Sequence, residues 1–358
     1  YVTLQENNAL LSIDIVNNSI LGISALGYSS YAAGSNNALD ASDQSGMVLI
    51  TGDLPIKGAY MPDAMAYHTI AGQGYLFTAN EGDSREFGSV EDARRIGSST
   101  FNGTLDPTAF PDAHILRNNK FLGRLSALKY SGDTDGDGDY DELHVMSGRS
   151  FSIWNPMTGA LVFDSKDMIE QIIAAHPVFG SIFNASNKVG TPTFKNRSDD
   201  KGPEVEGIAV HQVNGHTYVF AALERIGGVM IFNADNPLAS YYVGYYNNRS
   251  VSNPNGPDLG TEGIIIIAAQ DSPNGQDLLI LANEVSSTVT TYQMNTCAVA
   301  SNAVLVADTT VFCAGDSTIL SFNAATNVVY TWLANGQALN TTNDTLVVSQ
   351  SGLYALVL

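Results

Sequence analysis

Five aspartates fall within nine residues of the stretch Ser131 to Leu143, SGDTDGDGDYDEL: Asp133, Asp135, Asp137, Asp139 and Asp141. Counted as a loop, Asp133, Asp135, Asp137 and Asp141 occupy the first, third, fifth and ninth places. Gly138 takes the sixth, where a sharp turn folds oxygens around a hard cation, and Asp139 offers a backbone carbonyl at the seventh. The twelfth place is His144 rather than Glu, so the pattern is the shorter D-x-D-G-D-G-x-x-D loop and not a complete EF-hand. So many carboxylates repel one another unless a cation sits among them. The expectation is a structural calcium ion; the plainer reading is a solvated acidic turn.

A second acidic set recurs at fixed intervals. In GPEVEGIAVHQVNGHTYVFAALERIGGVMIFN, Glu206 opens one strand-like run and Glu224 closes the next, eighteen positions later. Asp63 and Glu81 repeat that spacing, and Glu262 and Glu284 repeat it with four more residues in the loop around Ser272 to Gln276. Glu6 falls in register with Glu81, Glu224 and Glu284 in a half-repeat whose first strand would precede Tyr1. Arginines follow, Arg85 after Glu81 and Asp83, and Arg225 directly after Glu224, with Arg149 at a comparable strand end and Arg197 and Lys201 in the loop leading to Glu204. One reading makes Glu81, Asp83, Arg85, Glu224 and Arg225 a catalytic set, in which carboxylates hold a metal and arginines clamp a phosphate ester. The other makes Glu and Arg pair with each other and tie the repeats together.

The elements that must position these groups are antiparallel meanders. Gly207 to Val213, His216 to Ala222 and Gly227 to Phe232 alternate or cluster apolar residues over strand lengths, with Asn214-Gly215 and Gly227-Gly228 as turns. A meander that cannot close its own core stacks on its neighbours, and radial stacking is a β-propeller. Equivalent acidic positions then ring one axis. The alternative is a β-sandwich with chance likeness between hairpins.

Elsewhere, ALLSIDI and NSILGISAL read as strands, 27–46 as a polar loop and 47–51 as a short strand. Ser89 to Arg95, with a serine cap followed by Glu91 and Asp92, reads as a short helix. LGRLSALKY, ELHVMSG, RSFSIWNP and GALVFDS together read as another blade. Met168, Ile169, Ile172 and Ile173 stand at helical spacing within 164–184, an inserted helix on the rim that His176-Pro177 ends. After Met294 the punctuation changes. VLVADTT, STILSF, VVYTWLAN, TLVVSQ and LYALVL, with Trp332 central and Asn335-Gly336 as a hairpin turn, read as a compact immunoglobulin-like sandwich.

With 358 residues, two domains are the default. Thirty-six acidic against sixteen basic residues give a formal charge of −20, which argues against nucleic acid or an anionic membrane as partner and makes divalent cations the natural counterions. No apolar run is long enough to span a bilayer. Cys297 and Cys313 are the two cysteines; they pair with each other, or Cys313 pairs beyond Leu358. There is no G-x-S-x-G, no H-E-x-x-H and no Gly-rich phosphate loop, and the six histidines are scattered.

The phrases LDASDQSG, MPDAMAY, YLFTANEGDSREF, SGDTDGDGDYDEL, GRSFSIWN, NRSDDKGPEVEGIAV, ALERIGGVMIFN, GTEGIIII and DSPNGQDLLILANEVSSTV, taken in order, resemble the choice-of-anchor I family over about Tyr1 to Met294. That resemblance implies a secreted bacterial propeller whose relatives are labelled alkaline phosphatase-like or likened to a mesenchyme-specific cell-surface glycoprotein. Family members carry further blade sequence upstream, and the tail resembles Ig-like modules of secreted Bacteroidetes proteins.

The expectations are therefore an all-β chain: a β-propeller at 1–296, seven-bladed when complete and truncated at its N-terminus, then an Ig-like domain at 302–358. The expected function is that of a secreted or outer-surface calcium-binding protein acting in adhesion or ligand binding. It would bind an extracellular ligand or surface component, alongside other domains of the same precursor. The alternative is a calcium-dependent phosphoesterase with its site at the axis.

Overall fold

The computed structural model describes residues 1–99, 101, 104–188, 194–253, 256–294, 305–309, 316–322, 331–334, 337–339, 341, 343–350, 352 and 354–357. The chain is all-β with a few short helices. Gly202 to Asn233 forms the meander its alternation predicts: Val205–Val213, His216–Leu223, Val229–Asn233 and Tyr241–Tyr246 pair in that order, here called the central sheet. Thr261–Ile267, Leu278–Asn283 and Thr288–Gln293 make a second such sheet. Ala64–Ile70 and Gln73–Ala79 make a hairpin that Phe151–Trp154 and Leu161–Asp164 extend to four strands. Val2–Leu4, Ala9–Asp14 and Ser19–Ala25 form the N-terminal sheet.

These sheets meet one another through the first strand of each. Val205–Val213 packs between Ala64–Ile70 on one flank and Thr261–Ile267 on the other, and Val2–Leu4 approaches Ala64–Ile70. Apolar residues fill each gap in turn. Leu10, Leu26, Tyr60, Leu76 and Trp154 lie between the N-terminal and hairpin sheets. Phe151, Phe183, Val219 and Met230 belong to the core joining the hairpin and central sheets, and Phe220, Val229, Leu279 and Leu281 to the next. At about 1.5–3 kcal/mol for each large apolar side chain fully buried, the sheets depend on one another and not on their own turns.

Backbone detail sets the spacing. A Cβ on Gly207 would stand 2.5 Å from the Glu262 carbonyl oxygen, so glycine lets the two neighbouring strands touch there. The predicted helix is present at Met168–Ala175, with Ile169, Ile172 and Ile173 buried against the core and His176 at its end. A short 3-10 turn, Phe179–Ile182, follows.

Two expectations are corrected. Ser89 to Arg95 is not helical: Glu86–Phe87 pairs with Val90–Glu91, and Ala93–Arg95 pairs with Ser126–Leu128. Asp92 is not freed to favour a helix start, because its buried carboxylate accepts both Nε and Nη2 of Arg85 at 2.9 and 2.6 Å. The segments from Leu122 to Ser165 do not form one blade. Ser126–Leu128 and Leu143–Val145 join Ala93–Arg95, Ile56–Ala59 and Tyr28–Ser30 in a separate five-stranded sheet, while Phe151–Trp154 and Leu161–Asp164 extend the hairpin sheet. The divide falls where Ser147 and Arg149 take left-handed conformations, φ 70° and 55°, and redirect the chain.

The tail holds two three-stranded sheets among its described residues: Leu305–Ala307, Thr318–Phe322 and Thr345–Val348, and Gln337–Ala338, Thr331–Ala334 and Tyr354–Val357. Trp332 is fully buried, its indole N–H donating to the Asn343 carbonyl at 2.8 Å. Cys297, Cys313 and the Asn335-Gly336 turn lie outside the described residues.

Candidate functional site

Two of the meanders place their first acidic residue by the same device. In the central sheet the ladder slips between Val205 and Gly207, leaving Glu206 as the extra residue of a bulge; the next sheet slips between Thr261 and Gly263 and leaves Glu262. A bulge re-aims the side chain it carries. Two residues earlier, Met61, Glu204 and Gly260 occupy one repeat position and share a left-handed backbone, φ 44°, 53° and 74°. Their carbonyls accept from Gly82, Glu224 and Glu284 at 3.0, 2.9 and 2.7 Å, which ties the entry of the first strand to the exit of the second.

The result is a single cavity of about 930 Å³ whose walls include Asp63, Glu81, Asp83, Glu206, Glu224, Glu262 and Glu284. Carboxylate oxygens come within 4.8 Å of one another in three overlapping groups: Asp63, Glu81 and Glu206; Glu81, Glu204 and Glu224; Glu224, Glu262 and Glu284. Six of the seven residues read as axial from the sequence therefore converge. Glu6 does not line the cavity; it is exposed in a 3-10 turn, and its neighbour Gln5 reaches in to donate to Glu81 Oε2 at 2.7 Å.

Cations stand among them. Lys201 Nζ bonds Glu81 and lies 3.2 Å from Glu204. Arg197 reaches Glu204 at 2.6 Å, and Arg225 pairs with Glu204 and Glu224, each at 2.9 Å. Glu204, completely buried and one step outside the recurring pattern, escapes a reading based on equal spacing. The signal for it was the Glu-x-Glu of PEVEG.

The electrostatics follow from burial and crowding. Burial, together with Glu81 and Glu224, pushes Glu206 up to about 9, and burial and Glu204 push Glu224 up to about 7. Burial also raises Asp63 and Glu81, and raises Glu262 together with the hydrogen bond its protonated form gives to Glu284. Burial acts on Glu204 in the same sense, yet Lys201, Arg197 and Arg225 outweigh it and hold that carboxyl below the usual range. Oε2 of Glu206 is buried with no hydrogen-bond partner. An all-oxygen donor set of this kind suits a hard divalent cation such as calcium.

The sequence of the same region is diagnostic. A model of the choice-of-anchor I domain matches residues 1–237. The chain belongs to the choice-of-anchor I family. The family match contains Asp63, Glu81, Glu206 and Glu224 of the cavity and the buried Glu204 that groups with Glu81 and Glu224, and stops short of Glu262 and Glu284. Gigasin-3a of Magallana gigas is 29% identical over 195 residues, 50% of this chain and 66% of that protein. A mesenchyme-specific cell surface glycoprotein of Strongylocentrotus purpuratus is 26% identical over 263 residues, 61% of this chain and 33% of that protein. The matched segments thus cover under two thirds of the first relative and one third of the second.

Of the suggested catalytic residues of this family member, Glu81, Asp83, Glu224 and Arg225 line the cavity, whereas Arg85 is turned aside onto Asp92. Arg149 is also taken up elsewhere, buried against Glu170 at 2.8 Å and donating to the carbonyls of Asp40, Ser198 and Asp200. The acidic loop is separate and exposed. It brings Asp133, Asp135 and Asp141 within 4.8 Å of one another. Asp137 and Asp139 are not part of that group; Asp137 Oδ1 instead accepts from the Asp139 N–H at 3.1 Å. Among the described residues no helix is long and apolar enough to cross a membrane.

Proposed function

We propose that the chain is a secreted or cell-surface binding protein: a calcium-stabilised β-propeller followed by an Ig-like module, acting in adhesion or ligand binding within a larger multidomain protein. The observation that carries the reading is the convergence of carboxylates from the hairpin, central and following sheets on one cavity, with a buried, unpartnered oxygen on Glu206. Radial stacking is the simplest architecture that aims equivalent positions of successive meanders at one place. The name of the Strongylocentrotus purpuratus relative, a cell surface glycoprotein, supports the location. Calcium would be held by the cavity carboxylates and, independently, by Asp133, Asp135 and Asp141.

Titration calorimetry of the full chain with calcium tests this. Two classes of site are expected, one of them lost when Glu206 and Glu262 are both changed to Gln. Absence of binding heat at millimolar calcium would remove the cation from the account.

A second reading, a metal-dependent phosphoesterase, has one observation in its favour: Arg94, Arg95, Arg197, Lys201 and Arg225 line the same cavity as the carboxylates. Four of these cations are engaged by acidic partners, Arg94 by Glu91, Arg95 by Asp199, Arg197 by Glu204 and Lys201 by Glu81 and Glu204, and Arg225 bridges two glutamates. Binding is therefore preferred over catalysis at this site. Phosphate release from a panel of esters with calcium present, abolished in Glu224→Gln with the fold intact, would reverse that preference.

A further inference from the structure

We propose that Ser131 is an activated nucleophile which, with His144 and Glu142, forms an acyl-transfer site at the base of the acidic loop, separate from the central cavity. Ser131 Oγ is hydrogen-bonded to His144 Nδ1, and His144 Nε2 meets Glu142 Oε2 at 2.8 Å. The carboxylate is itself anchored, with Lys57 Nζ 2.6 Å from Glu142 Oε1. A carboxylate paired with a lysine only accepts, so the imidazole proton sits on Nε2 and the Nδ1 lone pair faces the serine. That is the arrangement of nucleophile, base and orienting acid which acyl transfer requires, recognised by geometry and not by chain order.

The fold holds the base still. His144 lies in the strand Leu143–Val145, directly opposite Lys57 in parallel register, so the group that fixes Glu142 comes from the neighbouring strand. His144 is 5% exposed, and its ring stacks on Tyr28, centroids 4.0 Å apart and planes 25° from parallel. The Tyr28 hydroxyl is 3.3 Å from Ser131 Oγ. It is therefore placed to donate to an oxygen that becomes charged beside the serine. Ser131 is half-buried and Tyr28 is 41% exposed, so the approach is from solvent.

The chemistry balances with water as the only co-reactant. Ser131 Oγ gives its proton to His144 Nδ1 and bonds to an ester carbonyl carbon. The ester carbon–oxygen bond then breaks, and the proton on Nδ1 passes to the departing alcohol. Water, deprotonated by the same nitrogen, cleaves the acyl-serine, releasing the acid and restoring Ser131. The exposed carboxylates of Asp133 and Asp135 and the half-buried one of Asp141 close by repel anions, so the substrate class is a neutral or cationic O-acyl ester and not a phosphate ester.

The test is covalent labelling of the full chain in calcium-containing buffer with a neutral biotinylated fluorophosphonate, read by peptide mass spectrometry. One adduct per chain is expected, on the peptide carrying Ser131. It disappears in Ser131→Ala and forms on the order of 100-fold more slowly in His144→Gln and Glu142→Gln. p-Nitrophenyl acetate should give a burst of one equivalent with the same dependence. Circular dichroism identifies folded variants, and if His144→Gln fails to fold, the comparison of Glu142→Gln with Ser131→Ala decides. An unlabelled Ser131 in the folded protein, or labelling at an unchanged rate in folded Glu142→Gln, overturns the assignment and leaves the three residues as a staple of the loop.

Discussion

Glu204 and Glu224 share one guanidinium. Arg225 reaches Glu204 Oε2 through Nε and Glu224 Oε1 through Nη1, each at 2.9 Å, while the Glu224 backbone N–H donates to the Glu204 carbonyl, also at 2.9 Å. The residue that precedes the first strand of the central sheet is thereby fastened to the residue that follows its second.

Glu204→Gln should therefore be among the costliest single changes in the chain. The carboxylate is completely buried and faces Lys201, Arg197 and Arg225, so its loss leaves three cations crowded without their shared partner. Breaking one side of a buried pair costs about 3–5 kcal/mol. Urea unfolding of the two proteins measures the difference, and a cost below about 1 kcal/mol, typical of exposed pairs, would mean that the cluster is hydrated in solution.

The crowding in the cavity has a pH signature. Glu206 is pushed up to about 9 and Glu224 to about 7 by burial and neighbouring carboxylates, above the ordinary glutamate value near 4.5. Between those limits the folded state binds more protons than the unfolded state, so each group's stabilising contribution is present at acid pH and is lost as pH rises through its folded value. In EDTA the melting temperature should fall from pH 5 to pH 9, and saturating calcium should flatten or reverse that slope by replacing the protons. A melting temperature that climbs through the window in EDTA would contradict the raised values.

How far this site could be read in the sequence depended on what fixed each residue. Asp63, Glu81, Glu206, Glu224, Glu262 and Glu284 were visible because a repeated meander repeats its strand ends, and the structure brings all six to the cavity. Glu6 follows the same count, but its half-repeat turns through a 3-10 segment that sends Gln5 inward instead. Glu204 was overlooked since its role comes from a left-handed backbone and the three cations that the fold gathers around it. Arg85 and Asp92 show the reverse failure. Local signals favoured a helix, and a half-buried ion pair between them accompanies a hairpin in its place.

The contact between neighbouring meanders can be weighed with one methyl group. Gly207 and Gly263 are equivalent in the repeat, each following its bulged glutamate. A Cβ at 207 would meet the Glu262 carbonyl oxygen at 2.5 Å and Ile264 Cγ2 at 2.9 Å, whereas at 263 the one near neighbour is Ala282 Cβ at 3.0 Å. Gly207→Ala should destabilise by about 1–3 kcal/mol, the usual range for overpacking. Gly263→Ala should cost clearly less. Equal losses in thermal melts would show that the neighbouring sheets do not touch at that point.

In the acidic loop, turn-forming and cation-binding roles can be separated by choosing the right aspartate. Asp133 accepts from the N–H groups of Gly136 at 2.7 Å and Gly138 at 3.2 Å, and Asp141 accepts from the N–H and hydroxyl of Thr134 at 2.7 and 2.8 Å, so these two shape the loop with or without an ion. Asp135 accepts only from the nearby Asp137 N–H at 3.1 Å, yet its carboxylate stands within 4.8 Å of the other two. Asp135→Asn should leave melting in EDTA almost unchanged while removing part of the calcium-induced rise. A site at a hundred times its dissociation constant contributes about 2.7 kcal/mol. Asp133→Asn should lower stability even in EDTA. Identical calcium responses in Asp135→Asn and the unaltered chain, followed by differential scanning calorimetry, would assign the whole calcium effect to the central cavity and leave the loop an acidic turn.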